Sequence, residues 1–300
     1  MPPMARGAFS NLLAPGFRKV TFETYKERPT EGSKYVNMLK SQRAYEEDFP
    51  IAGYGTLLTK TEGGGVAYQD ALQGVIKRYI WTTYGLGFRI TQEMFEDDLY
   101  GVMGNKMSKA LGRSARNNFE IVTHSPYNNA FDTAFVGYEA GVSLCSTAHT
   151  TLRGQTIANR PSPDADISLL ALQASVEHFH SLIDEAGLPV VFLPKMLLHN
   201  PGDVWIVRQL LKSVGLPGGN QNDVNSLREE GLVGMLDHYL TDPDSWFIIA
   251  DQMDVNYFDR RQVTFTNTDD FETGDAKYKL TRRNGAGFSD WRGIYGSAGF

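Results

Sequence analysis

The stretch that decides the reading is "YGLGFRITQEMFEDDLYGVMGNKMSKALGRSARNNFE", Tyr84 to Glu120. It opens at the end of a longer run, Gly74 to Ile90, rich in Val, Ile, Tyr, Trp, Thr and Phe, which is strand composition. Fully extended, that run spans about 50 Å, far beyond an ordinary strand. At Thr91, a candidate N-cap, the pattern turns helical. Glu93, Glu96, Asp97 and Asp98 come early and Lys106, Lys109, Arg113 and Arg116 late, the order a helix dipole favours. Phe95, Leu99, Val102, Met103, Met107, Ala110, Leu111, Ala115, Phe119 and Val122 recur at helical spacing. The expectation is one helix over 91–122, a rod of about 45 Å that Gly101, Gly104 and Gly112 weaken and can bend or interrupt.

Before this stretch, residues 46–90 hold two β-rich flanks around "TEGGGVAYQD" (61–70). A two-stranded ribbon of that length is marginal alone and requires a surface to lie on, in its own chain or a neighbour's. Residues 1–45 read as an arm, with Gly, Pro, Arg and Lys breaking every apolar period; short runs such as "KYVNMLK" (34–40) suggest a helical turn.

After it, residues 123–166 are loop-rich. Asp166 or Ser168 caps a helix to Ala186, with Leu169, Leu172, Val176, Phe179 and Ile183 on one face and Gly187 as its stop. "LPVVFLP" (188–194) reads as a short buried strand and "PGDVWIVRQLLKSVG" (201–215) as a second amphipathic helix. "SWFIIADQ" (245–252) reads as an apolar strand. Within 263–283, Ala276, Tyr278, Leu280 and Arg282 alternate with Lys277, Lys279, Thr281 and Arg283, a strand with one wet face. There is no internal repeat, and the order of elements indicates α+β, not a regular βαβ alternation.

Length and composition bound the function. The 300 residues suffice for one large domain or two smaller ones. Hydrophobic residues at 41% and charged residues at 21% are ordinary for a soluble globular chain. The net charge of −6 disfavours nucleic-acid binding driven by overall charge. Cys145, the single cysteine, forms no internal disulfide. No apolar run reaches the ~20 residues of a membrane span and the first residues lack a signal-peptide core, so the expectation is a cytoplasmic product with no membrane partner.

Candidate chemistry is sparse. Cys145 and His149 in "SLCSTAHTT" offer a thiol and a base, weighed against a buried thiol beside a hydrogen-bonded imidazole. Glu177 and His180 in "VEHFH" share a helix face, but a di-iron site needs a second such motif and two further Glu. His178 points elsewhere, and His124, His199 and His238 stand isolated. "EGGG" (62–65) and "GLPGGN" (215–220) lack a phosphate-loop pattern, "DDFETGD" (269–275) is not a calcium loop, and "DPDS" (242–245) is a turn. The expectation is no catalytic, cofactor-binding or metal residue, no cofactor and no enzyme.

From Tyr84 onward the chain resembles tailed-phage major capsid (major head) proteins of the Hong Kong 97 fold, the Mu-like head subunits among them. The resemblance continues in family order through "LCSTAHTTLRGQTIANRPS" (144–162) and "ISLLALQASVEHFHSLIDEAGLPVVFLPKMLLHNPGDVWIVRQLL" (167–211), with a D-x-x-G-x-P turn at Asp184, Gly187 and Pro189. "LTDPDSWFIIAD" (240–251) and "RRNGAGFSDWRGIYGS" (282–297) complete it, and coverage runs from about residue 46 to 300.

The resemblance implies an N-terminal arm at 1–45, an extended β-hairpin loop at 46–90 and a peripheral domain with a spine helix at 91–164. It implies an axial domain at 165–262 and peripheral C-terminal strands at 263–300, with Phe288, Trp291 and Tyr295 buried by the peripheral sheet. It implies hexamers and pentamers of this chain forming an icosahedral head shell around a phage genome, in the virion, assembled in a host bacterial cytoplasm. The partners it implies are the chain itself, a separate scaffolding protein, a portal, a decoration or cement protein, and double-stranded DNA touched without sequence preference. The chain shows no helical segment of ~100 residues ahead of the arm that would serve as an attached scaffold, so the expectation is either a separate scaffolding protein or a segment removed before this numbering begins. Lys60 lies near the ribbon tip, but no Asn partner or catalytic Glu for a crosslink is matched. The alternatives are a nanocompartment shell of the same fold, a hydrolase using Cys145 and His149, and a nucleic-acid module.

Overall fold

The computed structural model describes residues 9–97, 101–135, 141–215, 224–270 and 272–300, with the side chains of 9–13, 92, 95 and 96 excepted. Asp98 and Leu99, the Phe95 side chain and most of "GLPGGN" fall outside the described residues.

Helix α1 (Phe9–Lys26) is followed by strands β1 (Asn37–Lys40), β2 (Tyr45–Asp48), β3 (Ile51–Ala52), β4 (Leu72–Gln73), β5 (Lys77–Ile80) and β6 (Thr82–Ile90). Helices α2 (Gln92–Asp97) and α3 (Val102–Asn128), a small hairpin of β7 (His149–Thr150) and β8 (Thr156–Ile157), and α4 (Leu169–His180) come next. Then come β9 (Pro194–His199), α5 (Val204–Lys212), β10 (Val233–Leu236) and β11 (Trp246–Ala250). Strands β12 (Val255–Asp269), β13 (Ala276–Phe288) and β14 (Ile294–Ser297) close the chain.

Two four-stranded sheets organise the body, in orders β1-β12-β13-β6 and β10-β9-β11-β14. In the first, Tyr278 and Leu280 of β13 are buried on the helix side while Lys277 and Lys279 face solvent, as the alternation predicts. In the second, Trp246 to Ala250 are buried throughout, so β11 is covered on both faces and reads as a continuous apolar run. Leu197, Leu198, Leu172, Phe179 and Ile294 fill the core around it.

The arm holds more structure than its sequence suggests. Helix α1 runs parallel to α3 and packs at its glycines. A Cβ at Gly104 would lie 2.3 Å from the Phe17 ring, and one at Gly112 would lie 2.5 Å from the Thr21 carbonyl oxygen. Gly104, Ser108 and Gly112 thus form a groove of small residues that admits α1, and the Thr21 hydroxyl donates to Ser108 O at 3.3 Å. The expected helical turn in "KYVNMLK" is instead β1, paired in parallel with Asn256–Asp259.

Other expectations are corrected. The helix over 91–122 is two helices. Thr91 does cap the first, accepting from Met94 N at 3.2 Å. Gly101, at φ 62°, begins the second, which continues to Asn128. The run Gly74–Ile90 is not one strand: β5 belongs to the hairpin, whereas β6 pairs with β13 from Ala276 to Asn284. Ser168 caps α4, accepting from Ala171 N at 3.2 Å. The helix ends at His180, not Ala186. Asp184 Oδ1 then accepts from Ala186 N and Leu188 N at 2.8 and 2.7 Å, and Gly187 takes φ 86°. That is the physical content of the D-x-x-G-x-P turn. The strand expected at 188–194 lies at 194–199, where the register with β11 sets Leu198 opposite Phe247. Strand β12 crosses residue 262, and β14 pairs with Trp246–Ile249, not with the sheet of β13.

Candidate functional site

The hairpin that leaves the body begins where β2 pairs with β5, Tyr45 opposite Ile80, and continues where β3 pairs with β4. Beyond Ala52 and Leu72 it has no ladder. Gly55 N donates to Gln69 Oε1 at 2.9 Å, and a turn at Thr61–Gly64 reverses the chain. The tip is apolar and bare: Leu57 is 102% exposed, Tyr68 94%, and Tyr54, Leu58 and Val66 each above 60%. Ile51, Val75, Ile76 and Ile80 extend the exposed strip toward the base. Soluble monomers rarely leave such a patch contiguous and wet.

The base is fixed. Tyr79 and Trp81 are buried against the Phe258 ring at 4.9 and 5.1 Å, and Trp81 Nε1 donates to Arg43 O at 3.0 Å. The Tyr79 hydroxyl is hydrogen-bonded to Ser289. Alternate glycines in "NGAGF" make this seat. A Cβ at Gly285 would lie 2.7 Å from Ile80 O, and one at Gly287 would lie 2.9 Å from the Tyr79 ring. Lys77 Nζ lies 3.9 Å from the Phe288 ring centroid, and burial pulls its pKa down to about 8 against the opposing pull of Asp254. The sequence reading missed this seat; its signal was glycine at every second position of a strand.

A second surface lies on the helix pair. Lys106, Lys109 and Arg113 are exposed on successive turns of α3, and residues 101–119 contain no Asp or Glu. Arg116, expected with them, is instead engaged with the buried Glu120 at 3.1 Å.

The candidate chemical residues do not converge. Cys145 is buried, and burial pushes its thiol pKa far up, away from thiolate chemistry. His149 stacks on Trp291 with ring centroids 4.2 Å apart, and its Nε2 donates to Asn159 Oδ1 at 3.1 Å. Asn159 Nδ2 donates to Leu144 O and Ile294 O at 2.8 and 3.0 Å, while its own carbonyl accepts from Gly296 N. This amide ties the 144–149 loop to the terminal segment, in which Phe288, Trp291 and Tyr295 are buried. Phe300 is exposed.

Glu177 and His180 both face solvent, and His178 packs against Phe179 and Tyr295 with its pKa lowered to about 4 by burial. His199 Nδ1 donates to Asn200 O at 2.8 Å, and His238 meets Glu31 at 3.0 Å. Among the described residues no three His, Cys, Asp or Glu are grouped to hold a metal, and no helix is long and apolar enough to cross a membrane. Lys60 is exposed at the tip.

Comparison with known proteins agrees with this geometry. The profile of a family described as phage capsid protein matches residues 76–297. No curated protein matches the sequence. Among solved structures, the chain is similar to the procapsid of bacteriophage JBD30 at 14% identity and a TM-score of 0.53, covering 99% of this chain and 76% of that one. It is similar to Mycobacterium phage Patience at 12% identity and 0.54, covering 97% and 87%. A virus-like particle from Pyrococcus furiosus gives 12% identity and 0.52, covering 94% and 98%. At these identities the structures speak for the fold. The profile spans most of the chain, and the chain therefore belongs to the phage capsid protein family, with the Hong Kong 97 fold.

Proposed function

We propose that this chain is the non-enzymatic subunit of a phage head, assembling into hexamers and pentamers whose shell encloses the genome. The observation that carries this reading is the hairpin: a seated base with an apolar tip that its own chain leaves uncovered. A head-to-tail contact made by such a tip closes into rings when the rotation allows. In this reading α3 with the β13 sheet forms the peripheral part and the β11 sheet with α4 and α5 the axial part. Lys106, Lys109 and Arg113 touch packaged double-stranded DNA without sequence preference. A separate scaffolding protein, a portal and a decoration or cement protein complete the head, which assembles in the host bacterial cytoplasm. A nanocompartment shell would share the fold, but the family match favours a phage capsid.

The test is a photo-crosslinking residue placed at Leu57 in assembled particles. Crosslinks to a second copy of the chain support the reading. Crosslinks confined within one chain contradict it.

A further inference from the structure

Residues far apart in sequence meet in one buried polar cluster apart from the hairpin seat. Tyr35, Glu120, His124 and Asp237 are each at most 1% exposed. They come from three places: the segment after α1, the C-terminal half of α3, and the loop after β10. Glu120 accepts from Glu31 N at 3.2 Å and Gly32 N at 3.0 Å, and pairs with Arg116. Gly32 is required, since a Cβ there would lie 2.2 Å from Thr123 Oγ1. The Tyr127 hydroxyl donates to Tyr35 O at 2.5 Å. Asp237 Oδ2 receives the Tyr35 hydroxyl at 3.1 Å and His124 Nε2 at 2.9 Å, and Asp237 Oδ1 receives Tyr239 N at 2.7 Å. Outside this layer, His238 meets Glu31 and the Tyr239 ring lies 5.2 Å from His124.

The imidazole reports its own protonation. His124 Nδ1 lies 2.5 Å from the Glu120 carbonyl oxygen, and Nε2 lies 2.9 Å from Asp237 Oδ2 and 2.9 Å from the Tyr35 hydroxyl. The carbonyl and the carboxylate cannot donate, and the Tyr35 hydroxyl, which can, is shared between Nε2 and Asp237 Oδ2; while it donates to Asp237, each ring nitrogen faces an acceptor and needs its own hydrogen, and a neutral imidazole has one. The imidazolium also supplies a positive charge, with Arg116, between the carboxyl groups of Glu120 and Asp237. Without its second proton, Nε2 can accept the Tyr35 hydroxyl only by drawing it from Asp237, whose carboxylate then faces a nitrogen lone pair inside a buried site.

We propose that this cluster is a two-state clasp: closed, it ties residues 31–35 and 237–239 to α3; open, it frees both segments together, and the proton on His124 selects the state. The inference concerns the chain itself and stands apart from the shell reading. Burial alone would lower the His124 pKa, but the hydrogen bond and charge of Asp237 outweigh it and hold the pKa above the ordinary 6.5. A histidine raised in the folded state contributes fully below the unfolded value and loses its contribution as pH rises through the folded one. The clasp is therefore closed in mild acid and opens toward alkaline pH. The groups facing the ring are Arg116 and Glu120 of α3, Glu31 and Tyr35 of the arm, and Asp237, His238 and Tyr239 of the loop.

The test is hydrogen exchange by mass spectrometry on the full chain between pH 6 and 9.5, corrected for intrinsic rates. Above the His124 pKa, one linked proton lowers protection of 31–35 and 237–239 by about tenfold per pH unit, while 17–24 on α1 stays unchanged. His124→Gln abolishes that slope. Tyr35→Phe lowers protection of both segments together. Flat protection, or slopes in one segment alone, overturns the proposal. Should His124→Gln not fold, exchange of the His124 C2 proton in the native chain decides: a titration midpoint at or below 6.5 overturns it, and one above supports it.

Discussion

The hairpin tip admits a sharp perturbation. Residues 54–70 can be replaced by Asn-Gly, because the pairing of Ala52 with Leu72 and the bond from Gly74 N to Pro50 O at 2.9 Å both lie outside the excised segment. The excision removes Tyr54, Leu57, Leu58, Val66 and Tyr68, all largely exposed and therefore contributing little to the fold of one chain. Covered by a neighbour, such side chains stabilise a contact by about 1.5–3 kcal/mol each at full burial, so the five, covered to about two-thirds, supply a gross figure on the order of 5–10 kcal/mol per contact before ordering costs. If a third of that survives, assembly weakens by roughly a hundredfold per contact. Circular dichroism and thermal melting of the variant should match the parent, and sedimentation velocity should show monomers or small oligomers at concentrations where the parent forms shells. Intact shells would refute the reasoning. So would a variant that does not fold, since the tip would then belong to its own core.

Three further outcomes are expected. Gly112→Ala should lower the melting temperature although alanine is the better helix former by about 1 kcal/mol, because its Cβ meets the backbone of α1; a rise in a thermal scan would show that α1 yields freely. Lys106, Lys109 and Arg113 changed together to Gln should reduce the slope of log affinity for duplex DNA against log salt by about 3; an unchanged slope would place nucleic acid elsewhere. His178 is held neutral with a pKa of about 4, below the ordinary 6.5, so its contribution is intact above pH 6.5 and is lost as pH falls toward 4. The loss is at most about 3 kcal/mol, and His178→Gln should flatten the urea midpoint over that range; an identical pH profile would contradict the assignment.

Much of the fold was legible because local rules and burial agree there. The cap at Ser168, the apolar run of β11, the alternation of β13 and the break at Gly101 each depend on a few neighbouring residues. What failed depended on distant partners. Helix α1 carries Pro15 and Gly16 and shows no clean stripe, yet Phe17 and Thr21 find a groove in α3 made of residues that weaken that helix by themselves. "KYVNMLK" becomes a strand because β12 offers an open edge. "LPVVFLP" loses to "PKMLLH" because the register with β11, not local hydrophobicity, sets which residues pair.

The functional surface was half legible in the same way. An overlong apolar run announced a surface that needs a partner, but nothing local shows that the run divides at Trp81 into a hairpin strand and a body strand. His124 looked isolated because its partner Asp237 lies 113 positions away, and their meeting depends on the whole topology.

In the proposed head, one copy's hairpin tip is covered by another copy in a closed shell. Cryo-electron microscopy of the purified, assembled chain tests it most directly. The expected result is icosahedral particles of hexamers and pentamers in which Leu57 and Tyr68 are buried on a neighbouring copy. Particles whose hairpins fold back on their own body, or a chain that stays monomeric with the tip exposed at assembly concentrations, would contradict it.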